Sequence, residues 1–75
     1  MYKLILFDYP EDHITVFKAI IKVTFNYKDV RAEQLSIIVK GKGEAVVLTT
    51  DDYVKVLDYH NILNFIGFKS EIYEE

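Results

Sequence analysis

The chain has 75 residues, 51% of them hydrophobic and 15% aromatic, with 12 acidic and 9 basic side chains giving a formal charge of −3. A chain this short is one domain, residues 1–75, and buries only about 60% of the surface its unfolded form exposes, so its apolar residues must be used fully. The lack of cysteine excludes a disulfide framework, a thiolate zinc site and a thiol nucleophile, and the acidic balance argues against nucleic acid as the main partner.

No apolar run approaches the roughly 18–20 residues of a membrane span. Met1 leads almost directly into a strand-like run, without the charged region and small-residue cleavage site of a signal peptide. A cytoplasmic location with no membrane partner is therefore expected.

The opening YKLILFD, residues 2–8, is a short dense apolar run closed by Pro10. It predicts a strand buried on much of both faces. Residues 13–26, HITVFKAIIKVTFN, carry polar side chains at Thr15, Lys18, Lys22 and Asn26. Steps of three and four mark one wet stripe on a helix, leaving Ile14, Val16, Phe17, Ile20, Ile21, Val23 and Phe25 on the remaining arc. Asp12 is the expected N-cap. Residues 29–40, DVRAEQLSIIVK, predict a second helix with Asp29 as cap, Val30, Leu35, Ile38 and Val39 along one side, and Gly41 as its stop.

Residues 44–49, EAVVLT, predict a strand. Thr49-x-x-Asp52 has capping-box spacing, and Asp51 and Asp52 suit the positive end of a helix dipole. The third helix is expected from about 51 to 66, with Val56, Tyr59, Leu63 and Ile66 as its stripe and Gly67 as its end. Tyr53, Val54, Leu57 and Phe65 lie off that stripe and belong either to the core or to an exposed patch for a partner. Phe68, Ser70 and Ile72 alternate with Lys69, Glu71 and Tyr73, as in a half-buried strand. The order β-α-α-β-α-β predicts an α+β domain, a three-stranded sheet with three helices packed on one face.

Three segments, MYKLIL, FNYKDVRAEQL and the spacing Val39-x-x-x-Gly43-x-Ala45, resemble the bacterial ClpS adaptor family. That family feeds proteins with destabilising N-terminal residues to a Clp-type AAA+ unfoldase. The likeness runs from Met1 to about Ala45 and continues more weakly to the end. The chain is also similar to the C-terminal domain of the bacterial ribosomal stalk protein, which shares the fold.

The resemblance implies a degenerate peptide-binding site made by Asp8, Tyr9, Asp12, Ile14, Ser36, Val39 and Lys40. Where the family has an Asn-Asp-Asp run and a Thr-Pro-Met segment, this chain has Asp8-Tyr9-Pro10 and Asp12-His13-Ile14. Asp8 retains a carboxylate for an amine, and Ile14 replaces a methionine wall. The family's pocket histidine falls on Lys40, whose charge repels a ligand ammonium. A pocket methionine falls on Ser36, and Val39 is retained.

The resemblance further implies docking on the N-terminal domain of a Clp-type unfoldase through the third helix. Asp52 fits the acidic position there. The basic position falls on Leu57, with Lys55 the nearest cation. Family members carry an extension before the first strand that serves delivery, whereas this chain begins at the strand. Docking without hand-over is the expectation, by which the chain modulates or competes with adaptor-mediated proteolysis. Two alternatives stand beside it. One is a divergent adaptor for a different peptide or degron. The other is a stalk-like domain binding translation factors through Lys18, Lys22 and Arg31.

No residue set supports bond-making chemistry, and no cofactor is implied. His13 and His60 lack the partners of a triad and a third clustered ligand for a metal. His13 is expected on the surface of a helix first turn and His60 on a flank of the third helix. Lys40-Gly41-Lys42-Gly43 lacks P-loop spacing and follows a helix rather than preceding one, so it reads as a C-cap and turn. The acids Asp8, Glu11 and Asp12 around Pro10 form either a turn with an N-cap or the remnant of an amine site.

Overall fold

Tyr2–Phe7 alternates between fully buried Leu4 and Leu6 and half-buried Tyr2, Lys3, Ile5 and Phe7, the period-two pattern of a strand with one covered face. This strand, β1, sits in the centre of a three-stranded sheet in the computed structural model, which describes all 75 residues. The order is β1 (Tyr2–Phe7), α1 (Ile14–Phe25), α2 (Asp29–Lys42), β2 (Glu44–Thr50), α3 (Tyr53–Phe65) and β3 (Ser70–Glu74). Both outer strands run antiparallel to β1 in the sheet order β2-β1-β3. The α+β architecture and its element order are as the sequence predicts.

A register shift between Leu4 and Ile5 leaves Val47 opposite no single residue of β1, because Leu4 pairs with Leu48 and Ile5 with Val46. Such a bulge disturbs the ladder. The Tyr27 hydroxyl donates to the Val47 carbonyl at 2.6 Å and so gives it a side-chain partner from the α1–α2 connection.

The core lies between the inner sheet face and the helices. Leu4, Leu6, Ala45 and Val47 meet Phe17, Ile21 and Phe25 of α1, Ala32, Leu35 and Val39 of α2, and Val56 and Leu63 of α3, with Phe68 closing the end. Phe17 and Phe68 pack edge to face with ring centroids 5.3 Å apart, and Phe25 packs between Tyr27 and Tyr59. The outer sheet face carries Ile5, Val46 and Tyr73 without a covering helix. That is why β1 is fully buried on one face only, and not on much of both.

The structure corrects several local expectations. Helix α1 is capped by His13, not Asp12: the ring accepts from the Thr15 backbone N–H at 3.2 Å. Asp12 is instead held in the preceding turn, its N–H donating to Tyr9 O at 2.9 Å. Helix α2 is preceded by Lys28, so Asp29 is its first residue rather than its cap. It runs through Gly41 and stops at Gly43, whose φ of 87° is left-handed backbone that only glycine adopts cheaply.

Asp52 caps α3 by accepting from the Lys55 N–H at 3.2 Å, so the Thr49 box does not form. Its own N–H donates to Thr50 Oγ1. Helix α3 therefore starts at Tyr53, not 51.

Of the expected apolar stripes, Val23, Val30, Ile38 and Ile66 are exposed, whereas Ala32 and Ser36 are buried. Tyr53, Val54 and Phe65 are exposed and Leu57 is half-buried, so these four contribute surface more than core. No helix is long and apolar enough to cross a membrane.

Candidate functional site

Backbone pairing at the top of the sheet brings the end of β1 to the end of α2. The Asp8 N–H donates to the carbonyl of Gly43 at 2.8 Å, and Phe7 N–H donates to Lys69 O. Gly43 is the left-handed turn between α2 and β2, so Asp8 is pinned beside the last turn of α2. Lys40 stands on that turn, where a cation also complements the carbonyl end of the helix.

The Lys40 ammonium donates to Asp8 Oδ1 at 3.0 Å and to the Asp12 carbonyl at 2.8 Å. Its Nζ lies 5.4 Å from the centre of the buried Phe17 ring. Both charged side chains of the ion pair are largely shielded, 24% exposed for Lys40 and 19% for Asp8. Charge-assisted hydrogen bonds in such a setting are strong, and breaking one leaves a poorly solvated charge behind.

An open cleft of about 420 Å³ lies beside Lys40, lined by Pro10, Glu11, Asp12, His13, Ile14 and Lys40, with Asp8 behind the lysine and outside the lining. Of the expected pocket residues, the structure brings together Asp8, Asp12, Ile14 and Lys40. Tyr9 is exposed and engages the turn through its carbonyl. Ser36 is buried, its hydroxyl donating back to Glu33 O at 2.7 Å. Val39 is fully buried in the core. Neither Ser36 nor Val39 lines the cleft, because helix α2 turns them to the core face and leaves Lys40, one residue on, at the rim.

His13 was not among the expected binding residues, yet it forms a wall of the cleft. Its Nδ1 also lies 3.1 Å from Thr15 Oγ1. His-x-Thr immediately before a helical period is the local signal for such a cap.

A second cleft of about 390 Å³ lies on α3, lined by Asp52, Val54, Lys55, Asp58 and Tyr59. Asp52 and Lys55 are both exposed there. His60 lies on the other flank, its Nδ1 2.7 Å from the Ser70 hydroxyl and its Nε2 3.1 Å from the Asn64 amide. It ties α3 to β3. No three of the His, Asp and Glu side chains come together as a set able to hold a metal ion.

Three basic groups of the first two helices have partners. Lys18 and Lys22 bond Asp29 at 2.9 and 3.3 Å, and the Arg31 guanidinium lies 4.7 Å over the Tyr27 ring. The hydrogen bond from Lys18, followed by that from Lys22, holds the Asp29 carboxyl below its ordinary range. The same bond to Asp29 holds the Lys18 ammonium above the usual lysine value.

Among solved structures, the chain is similar to Agrobacterium tumefaciens ClpS2 bound to L-phenylalaninamide. The TM-score is 0.76 at 15% sequence identity, covering 99% of this chain and 95% of that one. The chain has the ClpS-like fold. No family model matches its sequence, and no curated protein sequence matches it. At this identity the likeness lies in the course of the backbone, from β1 to β3, and the two clefts are built with this chain's own side chains.

Proposed function

We propose that this ClpS-like domain is a non-enzymatic, cytoplasmic protein-binding module that docks on the N-terminal domain of a Clp-type AAA+ unfoldase. There it modulates or competes with adaptor-mediated proteolysis. The observation that carries the proposal is the ClpS-like fold over nearly the whole chain. The Asp52–Lys55 segment adds support, being exposed at the start of α3 beside a shallow cleft. Asp52 also caps α3 by accepting from the Lys55 N–H, a place that Ser, Thr or Asn fills as well, so it serves the fold and the docking surface together.

Competition rather than delivery of the usual peptides is supported by the cleft beside Lys40. A substrate's free amine would meet the Lys40 ammonium there, which holds Asp8 Oδ1 and the Asp12 carbonyl. A stalk-like role with translation factors is disfavoured by the pairing of Lys18 and Lys22 with Asp29 and the stacking of Arg31 on Tyr27.

The test is a degradation assay with an unfoldase, its protease, a standard ClpS adaptor and a substrate bearing a destabilising N-terminal residue. Added protein should slow degradation in proportion to its concentration, and Asp52→Lys should weaken the effect. Acceleration of degradation, or no effect at a large excess over the adaptor, would overturn the proposal.

A further inference from the structure

We infer that the uncovered outer face of the sheet is a self-association surface, and that its occupant is the same face of a second copy of this chain. The dimer is weak and packs sheet to sheet. It leaves the helices and both clefts open, and it does not depend on docking to an unfoldase.

The strand register fixes which side chains share this face. Leu4 and Leu6 of β1 are buried in the core, so Lys3, Ile5 and Phe7 point away from it. Their partners on β2 and β3 lie on the same side of the pleat. Ile5 sits between Val46 and Glu71, and Lys3 between Thr49 and Tyr73. Phe7 sits between Glu44 and Lys69, whose carbonyl accepts from the Phe7 N–H at 3.1 Å. The centre of the face is apolar. Val46 and Tyr73 are exposed, and Ile5 and Phe7 are half-buried with no helix above them.

The charges of this face select a second copy as the partner. Lys3 and Lys69 stand among Glu44, Glu71 and Glu75, with Glu75 paired to Lys3. Both signs are interspersed and nearly balanced. A strongly basic or strongly acidic partner gains little from such a surface, whereas a two-fold repeat of it is complementary to itself.

A two-fold axis running across the strands at the row of Ile5 and Val46 makes the match. Each Ile5 and each Val46 then meets its own counterpart. Phe7 comes over the second copy's Lys3, and Lys69 over the second copy's Tyr73. An aromatic face favours a cation at both contacts. Within one chain, Lys69 Nζ already lies 5.1 Å from the centre of the Phe7 ring. Tyr73 donates to Glu71 at 3.2 Å, so a Lys69 ammonium over Tyr73 also offsets the approach of the two Glu71 carboxylates at the rim.

Three strands about 4.8 Å apart, with five residues each rising about 3.4 Å, give a face of roughly 14 by 17 Å. That is well short of the ~800 Å² each partner buries in a stable complex. The chain is therefore a monomer at micromolar concentration and pairs toward the millimolar range.

The test is sedimentation equilibrium of the full chain from micromolar to millimolar concentration, with amide nuclear magnetic resonance spectra recorded over the same range. The average mass should rise toward that of a dimer, and the amide shifts should gather around Ile5 and Val46. Val46→Lys, which sets two like charges face to face at an exposed position, should abolish both changes. Val54→Lys, at an exposed position on α3, should abolish neither.

Where circular dichroism shows Val46→Lys unfolded, Val46→Thr replaces it. Thr keeps the branched shape suited to a strand and should still reduce the association. No rise in mass at millimolar concentration would overturn the inference. So would a rise that the folded Val46 variant leaves intact, or shifts that gather on α3 around Phe65, whose side chain is 91% exposed. None of these readings involves an unfoldase, so the outcome is separate from that of the docking proposal.

Discussion

Replacing Phe17 with alanine and, separately, Val23 with alanine sets one face of α1 against the other. Phe17 is 0% exposed, edge-on to Phe68 and beneath the Lys40 ammonium. A buried Phe→Ala change costs about 3–5 kcal/mol from lost transfer energy and the cavity left behind. The edge-to-face pair accounts for about 0.5–1.5 kcal/mol of such a loss. Total stability for a chain of this length is about 4–11 kcal/mol, so Phe17→Ala removes about a quarter of it or more. Val23 is 82% exposed. Its truncation should change stability by less than about 0.5 kcal/mol, with alanine's better helix propensity acting in its favour.

Urea unfolding followed by far-ultraviolet circular dichroism reads both values, with the slope compared to check two-state behaviour. If Val23→Ala costs as much as Phe17→Ala, or Phe17→Ala costs less than about 1.5 kcal/mol, the assignment of the α1 faces is wrong.

Two further outcomes follow from the turns and the surface charges. Gly43→Ala should destabilise by about 1–2 kcal/mol because the φ of 87° forces a side chain into left-handed backbone. Gly41→Ala, in open space inside α2, should stabilise by about 0.5–1 kcal/mol, and equal effects in thermal melts would refute the helix end. The Asp29 carboxyl is held low by Lys18 and Lys22, so its contribution is complete above the ordinary Asp value. It is lost as pH falls through the lowered folded value. The melting-temperature gap between wild type and Asp29→Asn should therefore close in strong acid and shrink at high salt, where exposed pairs are screened. A gap that persists under both conditions would contradict that origin.

Element order was legible in the sequence because period carries it. The dense apolar run of residues 2–8 closed by Pro10 and the three- and four-residue steps of α1 survive any choice of partner. The finer errors share one cause. Apolar patterning gives a helix face but not which edge of that face meets the sheet. Val23 and Ile66 are apolar yet turned outward, whereas Ala32 and Ser36 occupy close-packed positions that hydrophobicity alone does not mark. Caps were misplaced by one or two residues where two candidates stood side by side, Asp12 with His13 and Gly41 with Gly43. The structure decides each by which backbone donor the side chain reaches, or by which residue takes positive φ.

At the cleft, Asp8, Asp12, Ile14 and Lys40 were found through the ClpS resemblance. The positive charge that Lys40 brings to the cleft was legible in the sequence. Its bond to Asp8 was not, because 32 residues separate the two and only the pairing of Asp8 with Gly43 brings them together.

Docking is tested most directly by titrating a fluorescently labelled Clp-type unfoldase N-domain with this protein at low and at moderate salt. Saturable binding at micromolar concentration is expected, with Asp52→Lys weakening it and the difference greater at low salt, where charge pairs are least screened. No complex at high micromolar concentration, or binding indifferent to Asp52→Lys at every salt concentration, would contradict docking through α3.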